Sequence, residues 1–237
     1  MFAKGTGSIQ LYTKPVVPPI PATPTFSLPF GSSPLPTTDV YGSTLTPNDA
    51  PTIYQDGTRG YVLATGAAGA LISSYSLTQT YTKSAWVYIT QTQTHGSIVA
   101  CISDGFIDFH TMYIDGTTLY EQNSSIGAIA GPTIPLNTWV HCASTYNPST
   151  NTLKIYKNGI LAVTYTLTGG GVSASLPFYG GGQIVIGESG TRDFMDPTII
   201  YYGNPLVNSY VDNVILYNRV LSDAEVLALY QNTLANP

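Results

Sequence analysis

Tight-turn signals divide the chain after residue 51 into short apolar runs. Asn158-Gly159 separates TLKIY from ILAVTYTL, and Asp-Gly pairs at 56–57, 104–105 and 115–116 separate similar runs. Asn-Gly and Asp-Gly tolerate the positive φ angles that a two-residue turn between antiparallel strands requires. No strand-helix-strand alternation appears in this region. The pattern therefore predicts an all-β fold, an antiparallel β-sandwich of the jelly-roll kind.

One short helix is predicted at the C-terminal end. Ser222 is a suitable N-cap residue, and Glu225 three positions later completes a capping box. Leu221 and Val226 occupy the two positions of a hydrophobic staple. The apolar face that follows predicts that the helix packs on the sandwich, so we interpret Ser222 and Glu225 as structural residues.

Residues 1–50 differ from the rest of the chain because nine of the 17 prolines fall within them. Proline has no amide hydrogen and fixes its own φ, so it disfavours helices and central strands. We therefore expect an extended, largely polyproline-like arm before a folded domain at 51–237. Two roles remain open for the arm. It is either a flexible linker or an ordered segment that contacts its own domain or another protein.

The composition limits the possible partners. Charged residues make up 9% of the chain, and the formal net charge is −5. Nucleic-acid binding needs clustered Lys and Arg, so we expect none. No run approaches the roughly 18 apolar residues of a membrane helix, and the first residues lack the pattern of a secretory leader. Cys101 and Cys142 lie in separate apolar runs and are interpreted as two buried thiols.

Five segments occur in a fixed order in the C-terminal two thirds of the chain. They are SAWVYI (84–89), NTWVHCASTY (137–146), LKIYKNG (153–159), GQIVIG (182–187) and YVDNVILYNRVLSDAEVLALY (210–230). In this order they resemble the laminin-G-like domain of the concanavalin A-like lectin/glucanase superfamily. The resemblance implies a concanavalin A-like jelly roll. It also implies structural roles for Trp86, Trp139, His141, Asn158, Gly159 and Asp212.

Relatives of this fold include glycoside hydrolases, which use two carboxyl groups about 5 Å apart when they retain configuration. The Glu-x-Asp-x-Glu strand of those enzymes is missing here. Glu225 caps a helix, and Glu121 and Glu188 follow strands, where we expect solvated turn carboxylates. His141 is expected to be a satisfied structural histidine. Because no other catalytic motif occurs, the sequence predicts a protein that is not an enzyme, with no catalytic residue.

Calcium is the one cofactor that the resemblance raises, because laminin-G-like domains often bind it through oxygen ligands at a loop rim. Asp193 and Asp196 in TRDFMDP are the best candidates, and turn formation is the alternative explanation for the acidic residues. Otherwise we expect no cofactor. Tyr179, Tyr201 and Tyr202 lie in what read as adjacent loops, where they form either an aromatic platform for a ligand or ordinary surface positions.

The sequence favours a non-enzymatic structural and recognition module. The low charge, the missing leader and the Pro-rich arm fit a virion component or another extracellular-facing assembly, such as a capsid decoration or fibre-associated protein. Its partners would be other protein subunits, contacted through residues 1–50. A carbohydrate-binding, lectin-like module is the alternative, with glycans as partners. A glycoside hydrolase of the glucanase branch is the third and least favoured interpretation.

Overall fold

The structure is a computed structural model that describes residues 21, 24–104, 110–123, 126–167, 183–192 and 200–235. These ranges contain one helix, α1 (Asp223–Ala235). The strands are β1 (Phe26–Leu28), β2 (Leu45–Asn48), β3 (Thr52–Asp56), β4 (Gly60–Ala64), β5 (Ala70–Ser76), β6 (Tyr81–Ile89), β7 (Gln93–Cys101), β8 (Ser103–Asp104), β9 (His110–Gly116), β10 (Thr118–Asn123), β11 (Gly127–Thr133), β12 (Val140–Asn147), β13 (Thr152–Lys157), β14 (Ile160–Thr166), β15 (Gln183–Ile186), β16 (Ser189–Arg192), β17 (Ile200–Gly203) and β18 (Ser209–Tyr217).

Two large antiparallel sheets face each other. The first sheet has the order β14-β13-β12-β6-β18-β4-β3, and β1 also pairs with β18. The second sheet has the order β11-β10-β9-β7-β15-β5-β2. A small third sheet, β17-β16-β8, contains a parallel pair between β16 and β8. The predicted all-β antiparallel sandwich with a short C-terminal helix is confirmed.

Alternation along each strand decides which side chains enter the core. In β6, Ala85, Val87 and Ile89 belong to the apolar cluster between the two large sheets. Successive residues of a strand point to opposite faces, so Trp86 and Tyr88 lie on the outer face of the first sheet. The sandwich interior and this outer face are therefore separate environments, built from alternate residues of the same strands.

The turns follow the sequence signals to different degrees. Asn158 (φ 51°) and Gly159 (φ 73°) both have positive φ, as a two-residue turn requires. In the β3–β4 hairpin, Asp56 pairs with Gly60, so the turn contains three residues instead of two. The carboxylate of Asp56 accepts hydrogen bonds at 2.8 Å from two backbone amides of this turn, which explains its longer form. Gly105, the second residue of the Asp104-Gly105 turn signal, lies outside the described residues.

The helix cap is confirmed. The backbone amide of Ser222 donates to Glu225 Oε2 at 2.8 Å, and the amide of Glu225 donates to Ser222 Oγ at 3.3 Å. Leu221, Val226 and Leu229 are buried together against the outer face of the first sheet. The capping box and the hydrophobic staple thus fix the helix on that face, as predicted.

Part of the predicted arm is built into the sandwich. β1 pairs with β18, and β2 pairs with β5. Phe26, Leu28 and Phe30 are buried in the main apolar core. Pro47 lies in β2, which is an edge strand of the second sheet, where a missing amide donor is tolerated. The proline content of residues 1–50 therefore hid two short strands that belong to the sheets.

Two further strands, β16 and β17, lie between β15 and the closing strand β18, and they pair with each other. Tyr201 and Tyr202 lie in β17, so the expectation that they stand in a loop was wrong. No helix in the described ranges has the length and apolar character needed to cross a membrane.

Both cysteines are buried and free, as predicted. Burial raises the pKa of the Cys101 and Cys142 thiols to about 12, so both are protonated at neutral pH.

A charged network lies inside the sandwich. Lys83 Nζ donates to Glu121 Oε1 at 2.6 Å, and both side chains are fully buried. The hydroxyl of Tyr81 donates to the same oxygen at 2.8 Å, and Ser144 Oγ donates to Oε2 at 2.9 Å. Lys83, Tyr81 and Ser144 belong to the first sheet, whereas Glu121 belongs to the second. The carboxylate therefore joins the two layers.

This network corrects the interpretation of the two acidic residues. Glu121 lies in β10 and points into the core, so it is not a solvated turn carboxylate. Glu188 is also almost wholly buried, and its Oε2 accepts a hydrogen bond from Asn48 Nδ2 at 3.1 Å. Burial raises the pKa of Glu188, and the Asn48 hydrogen bond opposes the shift. The sequence did not reveal these environments because cross-sheet partners are distant in the chain.

We predict that Glu121→Gln lowers the free energy of unfolding by about 3–5 kcal/mol, because it leaves the buried Lys83 ammonium without a counter-charge. Urea unfolding would measure the loss. The double variant Lys83→Met/Glu121→Leu should be less destabilised than the single variant. As a control, Lys154→Met breaks the exposed Lys154–Asp223 pair and should cost at most about 1 kcal/mol. Wild-type stability of Glu121→Gln would contradict the prediction.

Candidate ligand-binding surface

Four aromatic side chains form a row on the outer face of the first sheet. Its members are Tyr54, Tyr210, Tyr88 and Trp139, in this order, and we call them the aromatic row. The ring centroids of successive members are 5.0, 5.8 and 5.5 Å apart. The row crosses from the edge strand β3 to the central strands β18 and β6 and ends just before β12.

Strand register explains why these residues meet. Tyr210 lies directly opposite Tyr88 in the β18–β6 ladder and opposite Ala64 in the β18–β4 ladder. Tyr54 pairs with Val62 in the β3–β4 ladder, two residues before Ala64, so it meets Tyr210 diagonally across β4. Trp139 immediately precedes Val140, the residue that pairs with β6 beside Tyr88. Each ring therefore sits at a position that only the assembled sheet brings together.

The rings of the row remain accessible. The side chain of Tyr54 is 48% exposed, and Tyr88, Trp139 and Tyr210 are half-buried. The rings are tilted by 30°, 61° and 56° relative to their neighbours, so they are not stacked in parallel. A surface of this kind offers apolar ring faces and phenol hydroxyls side by side.

A buried arginine stands beside the row. The Cζ atom of Arg59 lies 4.2 Å from the ring centre of Trp86 and 5.6 Å from that of Trp139. Arg59 Nε donates to Asp212 Oδ2 at 2.7 Å, and Nη2 donates to the carbonyl of Thr233 in α1 at 3.1 Å. Both charged side chains are only 2% exposed. The guanidinium thus ties the β3–β4 hairpin to the central strand and to the helix.

Opposing effects act on the titration of this pair. Burial lowers the pKa of Arg59 and raises the pKa of Asp212. The attraction between the two charges opposes both shifts. Because a guanidinium is not deprotonated in proteins, Arg59 keeps its charge, and Asp212 neutralises it. Besides this ion pair, Asp212 Oδ1 accepts a hydrogen bond from the backbone amide of Asn213 at 2.7 Å, and its structural role stays a prediction.

The hairpin also fixes one end of the row. Trp139 Nε1 donates to Asp56 Oδ1 at 3.2 Å, and the same carboxylate organises the hairpin turn. Trp86, in contrast, is buried against α1 on the same outer face, and its Nε1 donates to Thr233 Oγ1 at 2.9 Å. One of the two tryptophans predicted to be structural therefore faces the surface, while the other anchors the helix.

His141 lies beneath the helix, away from the row. Its Nε2 and Ser84 Oγ are 2.8 Å apart, and its ring packs against Trp86 and Tyr230. Nδ1 has no hydrogen-bond partner among the described residues, so the expected satisfied histidine is satisfied at one nitrogen. Burial, aided by the charge of Arg59, lowers the pKa of His141 to about 3. The ring is therefore neutral and enclosed at neutral pH.

The residues predicted to bind ligands are brought together only in part. Tyr179, Asp193 and Asp196 lie outside the described residues, so the calcium loop stays a prediction. Tyr202 packs on an apolar cluster on the second sheet that includes Ile102, and it does not join the aromatic row. Across the described ranges, no three His, Cys, Asp or Glu side chains are grouped as a metal site would require.

A second set of aromatic rings lies on the outer face of the second sheet. His95, Tyr113 and Tyr120 stack with interplanar angles of 16° and 11°. Near-parallel stacking covers the ring faces, and Tyr113 is only 6% exposed. Burial, with Tyr120 and Asp115 nearby, raises the pKa of Tyr113 to about 12. This stack is a poorer ligand platform than the aromatic row because its faces are already occupied.

The comparisons with known proteins agree on the fold. A family model described as the concanavalin A-like lectin/glucanases superfamily matches residues 56–227. Among solved structures, domain 4 of AbnA, a GH43 extracellular arabinanase from Geobacillus stearothermophilus solved in complex with arabinotriose, is 17% identical with a TM-score of 0.63. The match covers 87% of this chain and 98% of that domain.

Two toxin domains are also similar. The binding domain of paraclostridial mosquitocidal protein 1 is 16% identical with a TM-score of 0.63, over 86% of this chain and 51% of that one. The binding domain of botulinum neurotoxin DC, solved in complex with SialylT, is 14% identical with a TM-score of 0.62, over 90% and 52%. This chain therefore spans about half the length of either toxin domain. No curated protein sequence matches significantly.

We predict that Arg59→Ala lowers the free energy of unfolding by about 3–5 kcal/mol, because Asp212 is left buried without its partner. Tryptophan fluorescence should also change, since the guanidinium lies against both tryptophans. Arg219→Ala is the matched control, because the Arg219–Glu225 pair is exposed and should contribute at most about 1 kcal/mol. Equal losses in the two variants, measured by urea unfolding, would contradict the proposed importance of Arg59.

Stability should fall as the pH drops from 7 to 5.5. Burial lowers the pKa of His110 and of His141 from an ordinary value near 6.5 to about 3. In this window the unfolded chain takes up protons that the folded chain does not, so acid favours unfolding. The slope should be at most about 1.4 kcal/mol per pH unit for each histidine.

The pH dependence of urea unfolding would measure this slope. His141→Gln should reduce it, whereas His95→Gln, a change at a side chain that is 55% exposed, should leave it unchanged. A slope that is the same in all three proteins would show that the buried histidine is not responsible.

Proposed function

Because the chain belongs to the concanavalin A-like lectin/glucanases superfamily, we propose that it is a carbohydrate-recognition module that binds sugar rings along the aromatic row. The observation that carries the proposal is the row itself: four partly exposed rings, each beside the next, across neighbouring strands of one sheet face. The apolar C–H face of a sugar ring packs on an aromatic face, and the phenol hydroxyls supply hydrogen-bond partners at the edges. Both requirements are met on this face.

The similar proteins support this direction. The AbnA domain was solved with arabinotriose, and the neurotoxin binding domain was solved with SialylT. These ligands belong to those proteins, and their low sequence identity to this chain transfers the fold alone. They make a glycan a reasonable first class of ligand to test here.

We propose binding without hydrolysis. Retaining and inverting glycosidases both need two carboxyl groups that reach the sugar from its two sides. Glu121 is held inside the sandwich by Lys83, Tyr81 and Ser144, where a glycan has no access. Asp212 is occupied by Arg59. Neither residue is suitably placed to act on a ligand that lies on the row.

The virion or assembly role stays a prediction, as do the extracellular-facing location and the contact with protein subunits through residues 1–50. Within that range, Phe26–Leu28 pairs with β18 and Leu45–Asn48 pairs with β5, so both segments belong to the sandwich. An anchoring function would therefore fall to the remaining residues of the range. Such a role is compatible with glycan recognition, because the aromatic row uses none of these residues.

Glycan binding should depend on the row. We expect Tyr54→Ala and Tyr210→Ala each to weaken glycan binding at least tenfold, or about 1.4 kcal/mol, because each removes a ring that contacts the sugar. Binding would be found on a glycan array and quantified by calorimetry. Tyr41→Ala is the matched control, since Tyr41 is 53% exposed and lies outside the row.

Tryptophan fluorescence gives a second reading of the same event. The chain has two tryptophans, and Trp139 is the one in the row, so a bound sugar should change the emission of the wild type and leave that of Trp139→Phe nearly unchanged. An array without any bound glycan would contradict the proposed function. Binding that survives both tyrosine changes would exclude the aromatic row as its site.

A further inference from the structure

The charges near the aromatic row restrict the kind of sugar it can hold. Arg59 is the cation beside the row, but its guanidinium is buried and committed to Asp212 and to the carbonyl of Thr233. Asp56 stands at the same end, where it accepts the hydrogen bond from Trp139. Among the side chains that the structure describes at this end of the row, an acidic sugar would therefore meet a carboxylate and no available cation.

Arg192 lies in β16 of the small third sheet, and the remaining cationic side chains that the structure describes are engaged as well. Lys83 pairs with Glu121 inside the core, Lys154 pairs with Asp223, and Arg219 pairs with Glu225. Lys157 Nζ donates to the carbonyl of Thr133 at 2.7 Å. Recognition of a carboxylate or sulfate normally relies on an available Arg or Lys. With a net charge of −5, the protein as a whole also repels an anionic glycan.

The shape of the row carries a second restriction. A single terminal sugar covers about one ring, whereas here the rings continue in three steps of 5.0, 5.8 and 5.5 Å across neighbouring strands. A ligand that uses the whole row must present several consecutive sugar rings in an extended chain.

From these observations we propose that the ligand is an uncharged, linear oligosaccharide or polysaccharide whose internal sugar rings lie along the aromatic row. This inference rests on the proposed glycan-binding function and specifies its substrate class. Affinity then comes from ring contacts and neutral hydrogen bonds, so it should change little with salt.

A glycan array would test the proposed preference for neutral chains. It would carry linear neutral glycans (arabinan, galactan, xylan and β-glucan oligosaccharides) and acidic glycans (galacturonan, sialylated and sulfated chains). Galacturonan with its carboxyl groups methyl-esterified or free provides a matched pair with one backbone. We expect the neutral chains to bind and the free-acid galacturonan to bind at least tenfold more weakly than its methyl ester. Neutral tetramers should bind at least tenfold more tightly than monosaccharides.

A designed cation provides the converse test. Thr52 lies in line with Ala64 and Tyr210 across the sheet and is exposed, so Thr52→Lys would place an ammonium beside the row. This variant should bind acidic glycans at least tenfold more tightly than the wild type. Thr164→Lys in β14, the opposite edge strand of the same sheet, is the matched control with the same change in net charge and should show no gain.

The outcomes separate the two levels of the proposal. Binding of acidic glycans that equals or exceeds that of their neutral partners, and that weakens with salt, would overturn the neutral-chain inference while leaving glycan binding intact. An equal gain in Thr52→Lys and Thr164→Lys would also contradict it, because the effect would then follow from net charge alone. A complete absence of binding would overturn the proposed function together with the inference.

Discussion

The ion pair between Arg59 and Asp212 is the contact on which the outer face of the first sheet depends. Arg59 enters from the β3–β4 hairpin, Asp212 from the central strand β18, and the carbonyl of Thr233 from α1. The guanidinium also lies against Trp86 and Trp139. Five parts of the chain therefore share one buried charge: the hairpin, β6, the residue before β12, β18 and α1. Because a buried charge that loses its partner is strongly destabilising, these parts are held together as one unit.

The inner side of the first sheet serves stability, and its outer side carries the proposed ligand-binding surface. On the inner side, Lys83 and Glu121 join the two large sheets through a network that solvent and ligands do not reach. On the outer side, α1 covers one half of the face, and the aromatic row occupies the other half near the hairpin. Since alternate residues of β6 serve both sides, with Lys83 inward and Tyr88 outward, the scaffold positions the row without using any of its rings in the core.

Local signals predicted the fold well. The Asn158-Gly159 turn and the Ser222/Glu225 cap depend on neighbouring residues, so both could be recognised in the sequence. The aromatic row could not, because Tyr54 and Tyr210 meet only after strand register is set. β1 was missed because proline content dominated the interpretation of residues 1–50. The partners of Glu121 lie on other strands, and no short-range pattern marks a carboxylate that crosses a sandwich.

A crystal structure of the full chain with a bound neutral tetrasaccharide would test the site most directly. We expect consecutive sugar rings over Tyr54, Tyr210 and Tyr88, with Trp139 at one end and the Arg59–Asp212 pair unchanged beside it. A glycan bound on the outer face of the second sheet, at His95, Tyr113 and Tyr120, with none over the aromatic row, would contradict the assignment.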